Sequence, residues 1–148
     1  MTDCVAIIPA RGGSKRIPRK NIKNFCGKPM IYYSIKNAIA SKCFKKIIVS
    51  TDDEVIAKIS KKYGAEILFT RPKHLSGDNA LTRDVVNHSI NFMKDKGIEF
   101  NYACLIYPTA PLIQKKKLSE GYKIIRTNKY DFAFTVCEYQ YPIPVSYT

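Results

Sequence analysis

The chain has 148 residues, of which 45% are hydrophobic and 25% are charged, and its formal net charge is +13. This composition excludes a disordered chain and fits one domain over residues 1–148. No apolar stretch could span a bilayer, and no signal-peptide pattern is present, so we expect a cytoplasmic protein. The charge favours an anionic partner, such as a nucleotide, a nucleic acid or a membrane surface, although the lysines are scattered along the whole sequence.

The first predicted element is a buried strand over residues 4–8, which opens into a loop broken by Pro9, Gly12 and Gly13. The loop carries five cations: Arg11, Lys15, Arg16, Arg19 and Lys20. Exposed backbone N–H groups and positive side chains at the end of a strand suit a polyphosphate. The loop matches neither the G-x-G-x-x-G fingerprint nor the G-x-x-x-x-G-K-[ST] loop, and a solvated basic turn or a nucleic-acid patch remains an alternative.

Periodicity predicts alternating helices and strands through the rest of the chain. In order, these are a helix over 30–40, a strand over 47–49, a helix capped by 50–53 and ending at Gly64, a strand over 67–69, a helix over 82–96, a strand over 102–107, a helix marked by Leu118, Tyr122 and Ile125, and a strand over 132–136. This alternation predicts an α/β fold, with a mostly parallel sheet and helices on both faces. The loops 7–21, 50–53, 70–82 and 107–112 should then meet at one edge of the sheet, which is the predicted site.

The five cysteines are odd in number and lack metal-type spacing, so we expect free thiols. Cys4 and Cys104 lie in apolar runs and are expected to be packing residues.

The motifs IPARGGSKRIPRKN, GKPMI, VSTDD, YGAE, RP and PTAPL occur in this order. They resemble the bacterial cytidylyltransferases that activate nonulosonic acids, and the similarity extends over essentially the whole chain. The resemblance implies a Rossmann-like three-layer nucleotidyltransferase fold. It also implies transfer of CMP from CTP to a nine-carbon keto-sugar acid with release of pyrophosphate, with Mg²⁺ as cofactor, giving an activated sugar for cell-surface or flagellar glycosylation.

The resemblance further implies roles for single residues. Lys20 would lie near the α-phosphate and stabilise the charge of the departing pyrophosphate. The implied catalytic residues are Arg11, Lys15 and Lys20, and the implied nucleotide-binding residues are Ala10, Arg11, Gly13, Ser14, Lys15, Lys20, Asn21, Arg71, Ala80 and Thr82. The alternatives are that Arg71 is a surface arginine and that Thr82 only caps a helix.

The stretch after the fourth predicted strand indicates which sugar acid is the substrate. Sialic-acid members carry Gln-Pro-Thr-Ser-Pro there, whereas this chain has YPTAP at residues 107–111, which looks more like the pseudaminic-acid branch. Tyr107 and Thr109 are therefore the sugar-binding candidates, and pseudaminic acid is the favoured substrate, with sialic or legionaminic acid as alternatives. Tyr107 could instead be only the last core residue of a strand.

Family members continue well beyond the length of this chain, so the resemblance implies a domain that lacks its C-terminal part, and a homodimer for the full-length protein. That missing part normally supplies carboxylates for Mg²⁺. We therefore assign no metal ligand, and Asp52 and Asp53 are expected to cap their helix.

Three functions stay open: an active cytidylyltransferase, a CTP-binding fragment without turnover, and a nucleic-acid-binding module. The third has no sequence signature and no interleaving of basic and aromatic residues, so we expect CTP and a nonulosonic acid as partners, and neither nucleic acid nor membrane.

Overall fold

The computed structural model describes residues 3–136 and 138. Its strands are β1 (Cys4–Pro9), β2 (Asn24–Phe25), β3 (Lys28–Pro29), β4 (Lys46–Ser50) and β5 (Tyr102–Leu105). Its α-helices are α1 (Met30–Ser41), α2 (Glu54–Lys62), α3 (Thr82–Asp95) and α4 (Lys115–Ile125), and short 3-10 turns cover Lys20–Ile22 and Lys73–Leu75. The four helices predicted from periodicity are therefore confirmed.

The central sheet has three parallel strands in the order β4–β1–β5. Val5 of β1 aligns with Lys46 on one side and with Ala103 on the other. Because β1 is the middle strand and is covered on both faces, its first five residues are buried and apolar. β2 and β3 form a separate antiparallel hairpin. The prediction of an α/β fold with a mostly parallel sheet is confirmed.

Helices cover both faces of this sheet. On one face, α1, α2 and α4 bury Ile35, Ile56 and Leu118 in a common cluster. On the other face, α3 buries Met93 in a second cluster. The result is a three-layer arrangement, as the family resemblance implied. Among the described residues, no helix is long and apolar enough to cross a membrane.

The predicted third strand, residues 67–69, is an irregular segment that runs beside β4. Isolated parallel bridges join Ile48 to Glu66 and Thr51 to Thr70. Three steps along β4 therefore match four steps along this segment, so the segment contains one extra residue and forms a bulge. In agreement, residues 68 and 69 both pack on the α3 face. The prediction of a regular strand is wrong because the bulge interrupts the ladder.

The predicted fifth strand, residues 132–136, is also wrong. These residues have no strand conformation, and Phe132, Phe134 and Val136 are more than four-fifths exposed. An alternating apolar pattern does not form a strand by itself, because the backbone needs a neighbouring strand to bond. No strand in the described part of the chain pairs with this segment. The preceding strand is also shorter than predicted, since β5 ends at Leu105.

The cysteines within the described residues are free thiols, as predicted; Cys137 lies outside the described residues. Burial raises the pKa of Cys4 to about 12 and that of Cys104 to about 11. Both thiols are therefore protonated at neutral pH and act as packing groups.

Candidate functional site

A cleft of about 270 Å³ opens at the carboxyl edge of the parallel sheet. Its walls are the loop after β1, the loop between residues 70 and 82, and the loop after β5. The sequence predicted that these loops would meet at this edge, because parallel strands with crossover helices present their carboxyl ends together.

Residues 50–53, at the end of β4, hold the loop after β1 in position; we call them the 50–53 bracket. The backbone N–H of Ala10 donates to the carbonyl of Ser50 at 2.9 Å. The N–H of Gly12 donates to Oδ1 of Asp52, also at 2.9 Å. Asp52 was expected to cap the next helix, but its carboxylate instead accepts a hydrogen bond from the loop after β1. We call this loop, residues 10–21, the basic loop.

Asp53 is the residue that caps α2, as predicted. Its Oδ1 accepts hydrogen bonds from the N–H groups of Val55 and Ile56, both at 2.9 Å, and lies 3.3 Å from Nη2 of Arg19. Burial alone would raise the pKa of Asp53, but the N–H of Ile56, the charge of Arg19 and the N–H of Val55 together hold it below its usual value. Asp53 thus joins the helix to the basic loop.

Gly12 lies at a point of close approach between the basic loop and the 50–53 bracket. A Cβ built on Gly12 would lie 2.8 Å from Oδ2 and 2.9 Å from Cβ of Asp53. These distances are too short for non-bonded atoms, so the loop fits against the bracket only with glycine here. Gly13 is different, because a Cβ there would meet nothing within 4 Å.

Lys20 and Asn21 follow at the other end of the same loop, and both line the cleft. Asn21 is only 4% exposed, and its Nδ2 donates to the carbonyl of Arg11 at 2.9 Å. This bond fixes the two ends of the loop against each other. Within the described residues, Lys20 has no ion-pair partner, so its ammonium is available to a ligand.

Arg71 is a buried cation in the wall of the cleft. It is 5% exposed, and it donates from Nε to Oγ of Ser50 at 3.0 Å and from Nη2 to the carbonyl of Ser50. Burial lowers its pKa to about 10, with the charge of Asp52 acting in the opposite direction, so the guanidinium remains protonated at neutral pH. The alternative of a surface arginine is wrong. A buried cation without a carboxylate contact in the described residues favours an anionic or acceptor-rich ligand.

Asp78 is the acidic residue that lines the cleft in the described part of the chain. Its Oδ1 lies 2.8 Å from Nη1 of Arg11, and its Oδ2 lies 2.5 Å from Nζ of Lys15. Hydrogen bonds from Lys15 and Arg11 hold the pKa of Asp78 below its usual value. One carboxylate therefore bridges two cations of the basic loop.

The loop after β5 forms the opposite wall. Tyr107 is 54% exposed and lies beyond the end of β5, so it is not a core strand residue. Its carbonyl accepts a hydrogen bond from Oγ of the buried Ser34 at 2.8 Å, which ties the loop to α1. Thr109 lines the cleft on the same side. Thr82 is the first residue of α3, and the N-cap is Leu81, so Thr82 does not cap this helix.

The cleft brings together most of the residues that the sequence singled out: Arg11, Ser14, Lys20, Asn21, Arg71, Ala80, Thr82, Tyr107 and Thr109. Three others lie outside its lining. Ala10 is buried in the core, whereas Gly13 and Lys15 are exposed on the basic loop.

Sequence reasoning assigned no role to Asp78, to Leu75 or to Val85, which also line the cleft. Asp78 could have been predicted as a partner of the basic loop, since it is an acidic residue in a loop expected to face five cations. For the two apolar residues the sequence contains no comparable signal.

The described residues do not fit a protein-held metal centre. No three His, Cys, Asp or Glu side chains come together among residues 3–136 and 138. Near the cleft, Asp52 binds a backbone N–H, Asp53 caps a helix, and Asp78 bridges two cations. Mg²⁺ needs free oxygen ligands in nearly octahedral geometry, and these carboxylates are already engaged.

Comparisons with known proteins agree on one family. A family model described as "Cytidylyltransferase" matches residues 5–142. The chain is 45% identical over 139 residues to a pseudaminic acid cytidylyltransferase from Campylobacter jejuni, covering 94% of this chain and 60% of that protein. It is 35% identical over 136 residues to an N-acylneuraminate cytidylyltransferase from Escherichia coli, covering 91% and 31%.

Among solved structures, the fold is similar to that of CMP:2-keto-3-deoxy-manno-octonic acid synthetase complexed with CTP. The TM-score is 0.71 at 24% identity, covering 86% of this chain and 48% of that one. At this identity the similarity concerns the fold alone. The chain thus spans about 60% of the length of the Campylobacter relative and less of the other two.

Proposed function

Because the chain belongs to the cytidylyltransferase family, we propose that its cleft binds CTP. The observation that carries this proposal is the meeting of three positive side chains, Arg11, Lys20 and Arg71, in one cleft at the carboxyl edge of the sheet. The triphosphate and the polar base of CTP suit such a cleft, because the cations can pair with phosphate oxygens while buried donors bind acceptors on the base.

We propose further that the protein transfers CMP from CTP to a nonulosonic acid. A hydroxyl of the sugar acid attacks the α-phosphorus and loses its proton to solvent, while the bond from that phosphorus to the bridging oxygen breaks and pyrophosphate leaves with the electron pair. Lys20 neutralises the charge that develops on the leaving group, and the basic loop orients the phosphates. Phosphoryl-type transfer of this kind depends chiefly on positioning and on charge stabilisation.

Pseudaminic acid is the acceptor that we favour. The support is the 45% identity to a pseudaminic acid cytidylyltransferase and the presence of the exposed Tyr107, which lines the cleft together with Thr109. Sialic acid is the second candidate, supported by the N-acylneuraminate cytidylyltransferase at 35% identity. A phenol and an amide differ in shape and hydrogen bonding, so this position is suited to discriminate between the sugars.

Mg²⁺ belongs to the proposal only as a cation that accompanies CTP. The carboxylates of Asp52, Asp53 and Asp78 are engaged in other contacts and would not hold the metal.

The proposal is tested by calorimetry of CTP binding to the 148-residue chain. Arg11→Ala and Lys20→Ala should each weaken binding by about 1–3 kcal/mol, the scale of a charge-assisted hydrogen bond. Lys58→Ala, on the exposed side of α2, removes the same charge away from the cleft and should leave the affinity unchanged. Equal affinity in wild type and in both cleft variants would remove this cleft as the nucleotide site.

Base selectivity provides a second test. The loop between residues 70 and 82 offers the Thr82 hydroxyl and backbone groups near Ala80 to a base edge. We expect CTP to raise the melting temperature more than ATP or GTP does. Equal stabilisation by all three nucleotides would contradict cytosine recognition.

A nucleic-acid-binding function remains the second candidate because of the net charge of +13. Strong, salt-sensitive binding of DNA without any nucleotide selectivity would favour it over CTP.

A further inference from the structure

The carboxylate of Asp78 lies where two cations of the basic loop converge. Each of its oxygens contacts a different cation, with 2.8 Å to Arg11 and 2.5 Å to Lys15. Asp78 belongs to the loop between residues 70 and 82, so the bridge joins two of the three walls of the cleft. Its side chain is 43% exposed, and that of Lys15 is 82% exposed.

A carboxylate held by two cations presents oxygens much as a phosphate does. Both groups are anionic, both accept hydrogen bonds from guanidinium and ammonium groups, and both can bind two donors at once. A phosphate oxygen competes with Asp78 for the Nη1–H of Arg11 and for one N–H of Lys15, which the carboxylate already occupies. A phosphate that binds the remaining N–H groups would instead lie beside the negative carboxylate, which repels it.

We propose that Asp78 is an internal competitor for the phosphates of the nucleotide, and that it lowers the affinity for the part of the ligand that binds Arg11 and Lys15. This inference rests on the proposed function, in which the basic loop orients the phosphates of CTP, and it takes Arg11 and Lys15 to contact the β- and γ-phosphates. The triphosphate displaces the Asp78 carboxylate on binding, and the carboxylate returns to the two cations as pyrophosphate leaves. Asp78 therefore sets the affinity for CTP and eases the release of pyrophosphate.

The strength of the bridge is suited to this role. Exposed ion pairs contribute little to stability, because water and salt screen them, so a ligand with several negative charges can displace one carboxylate. A deeply buried pair would be too costly to break. The side chains of Arg11, Asp78 and Lys15 are 34%, 43% and 82% exposed, so the bridge is exchangeable rather than permanent.

A purely structural role for Asp78 makes the opposite prediction. If the carboxylate only held Arg11 and Lys15 in position, its removal would leave the two side chains less ordered and would weaken phosphate binding. The sign of the change in affinity therefore separates competition from positioning.

The experiment measures dissociation constants of CTP, CMP and inorganic tripolyphosphate by calorimetry for wild type and Asp78→Asn. Asn keeps the size of the side chain but removes the charge that the cations bind. We expect CTP and tripolyphosphate to bind roughly 3- to 20-fold more tightly to the variant, from the loss of two exposed ion pairs. CMP should change by less than about 2-fold, because it has no β- or γ-phosphate.

Two controls isolate the contact from the change in net charge. Glu99→Gln removes one negative charge near the start of β5, at the other edge of the sheet, and should leave all three constants unchanged. In the Lys15→Gln background, the gain from Asp78→Asn should shrink, because one of the two contested cations is gone.

Weaker or unchanged binding of CTP by Asp78→Asn would overturn the proposal, and so would an undiminished gain in the Lys15→Gln background. The outcome for the proposed function is separate. If the wild type binds tripolyphosphate but shows no preference for CTP over ATP and GTP, the proposed function fails while the competition can still be measured with tripolyphosphate.

Discussion

At the scale of single residues, the basic loop depends on a close contact that tolerates no side chain at Gly12. Gly12→Ala would force its Cβ to within 3 Å of Asp53, and the loop or the bracket would have to move. We expect a loss of about 1–3 kcal/mol in the free energy of unfolding, the usual cost of overpacking. Gly13→Ala is the matched control and should change stability by less than about 0.5 kcal/mol. Urea denaturation measures both, and equal losses would contradict the contact.

Asp53 adds a pH-dependent term to stability. Its folded pKa is lowered below the ordinary value of 3.8, so its contribution is complete above that value and is lost as the pH falls through the lower folded pKa. Asp53→Ala should therefore cost about 1 kcal/mol at neutral pH, the scale of an N-cap, and distinctly less at about pH 3. Urea midpoints of wild type and Asp53→Ala at both pH values give the difference. A constant penalty at both pH values would indicate that the charge of Asp53 is unimportant.

The same residues show what local sequence patterns reveal. The cap by Asp53 was predictable, because an N-cap involves residues two and three positions along the chain. The bond from Gly12 to Asp52 joins residues 40 positions apart, and no local rule assigns it. The burial of Arg71 likewise depends on the path of a neighbouring strand. The family resemblance selected Arg71 but did not reveal its bonds to Ser50.

At the scale of elements, α1 supports the cleft through one hydroxyl. Ser34 is fully buried, and its Oγ donates to the carbonyl of Tyr107, which leads into the loop after β5. Ser34→Ala should cost about 1–2 kcal/mol, because the carbonyl of Tyr107 loses its hydrogen-bond donor from the buried side of the loop. Ser60→Ala is the matched control, since the buried Oγ of Ser60 has no hydrogen-bond partner among the described residues. That change should be neutral or stabilising, and thermal unfolding compares the two. A larger loss at Ser60 would contradict this account.

The helices were easier to predict than the strands for a physical reason. A helix satisfies its own backbone and shows its buried face as a repeat, so α1 and α3 agree with prediction to within one residue at each end. A strand needs a partner that the local sequence does not specify. Residues 132–136 have a strand-like pattern but no partner in the described part of the chain, and residues 67–69 carry a bulge that no periodicity rule anticipates.

At the scale of the whole molecule, the net charge of +13 and the cleft should respond differently to salt. Scattered surface lysines are screened at high ionic strength, whereas the buried Arg71 is screened much less. Raising the salt from about 0.05 M to about 0.5 M should abolish nonspecific DNA binding while CTP binding falls by a much smaller factor. Fluorescence anisotropy and calorimetry would measure the two losses. Parallel losses would mean that CTP is bound by general surface charge.

The bulge over residues 66–70 contains one residue more than the stretch of β4 that lies beside it. A chain shorter by one position there could pair with β4 as an unbroken strand, with Thr70 still opposite Thr51 and Arg71 still at the cleft. The surplus residue lets two successive side chains, Leu68 and Phe69, pack on the α3 face. Loss of this one residue would shorten the loop without moving Arg71 away from the cleft. We therefore expect related chains to differ in length within residues 67–69, upstream of Arg71, without any change in how its guanidinium is presented.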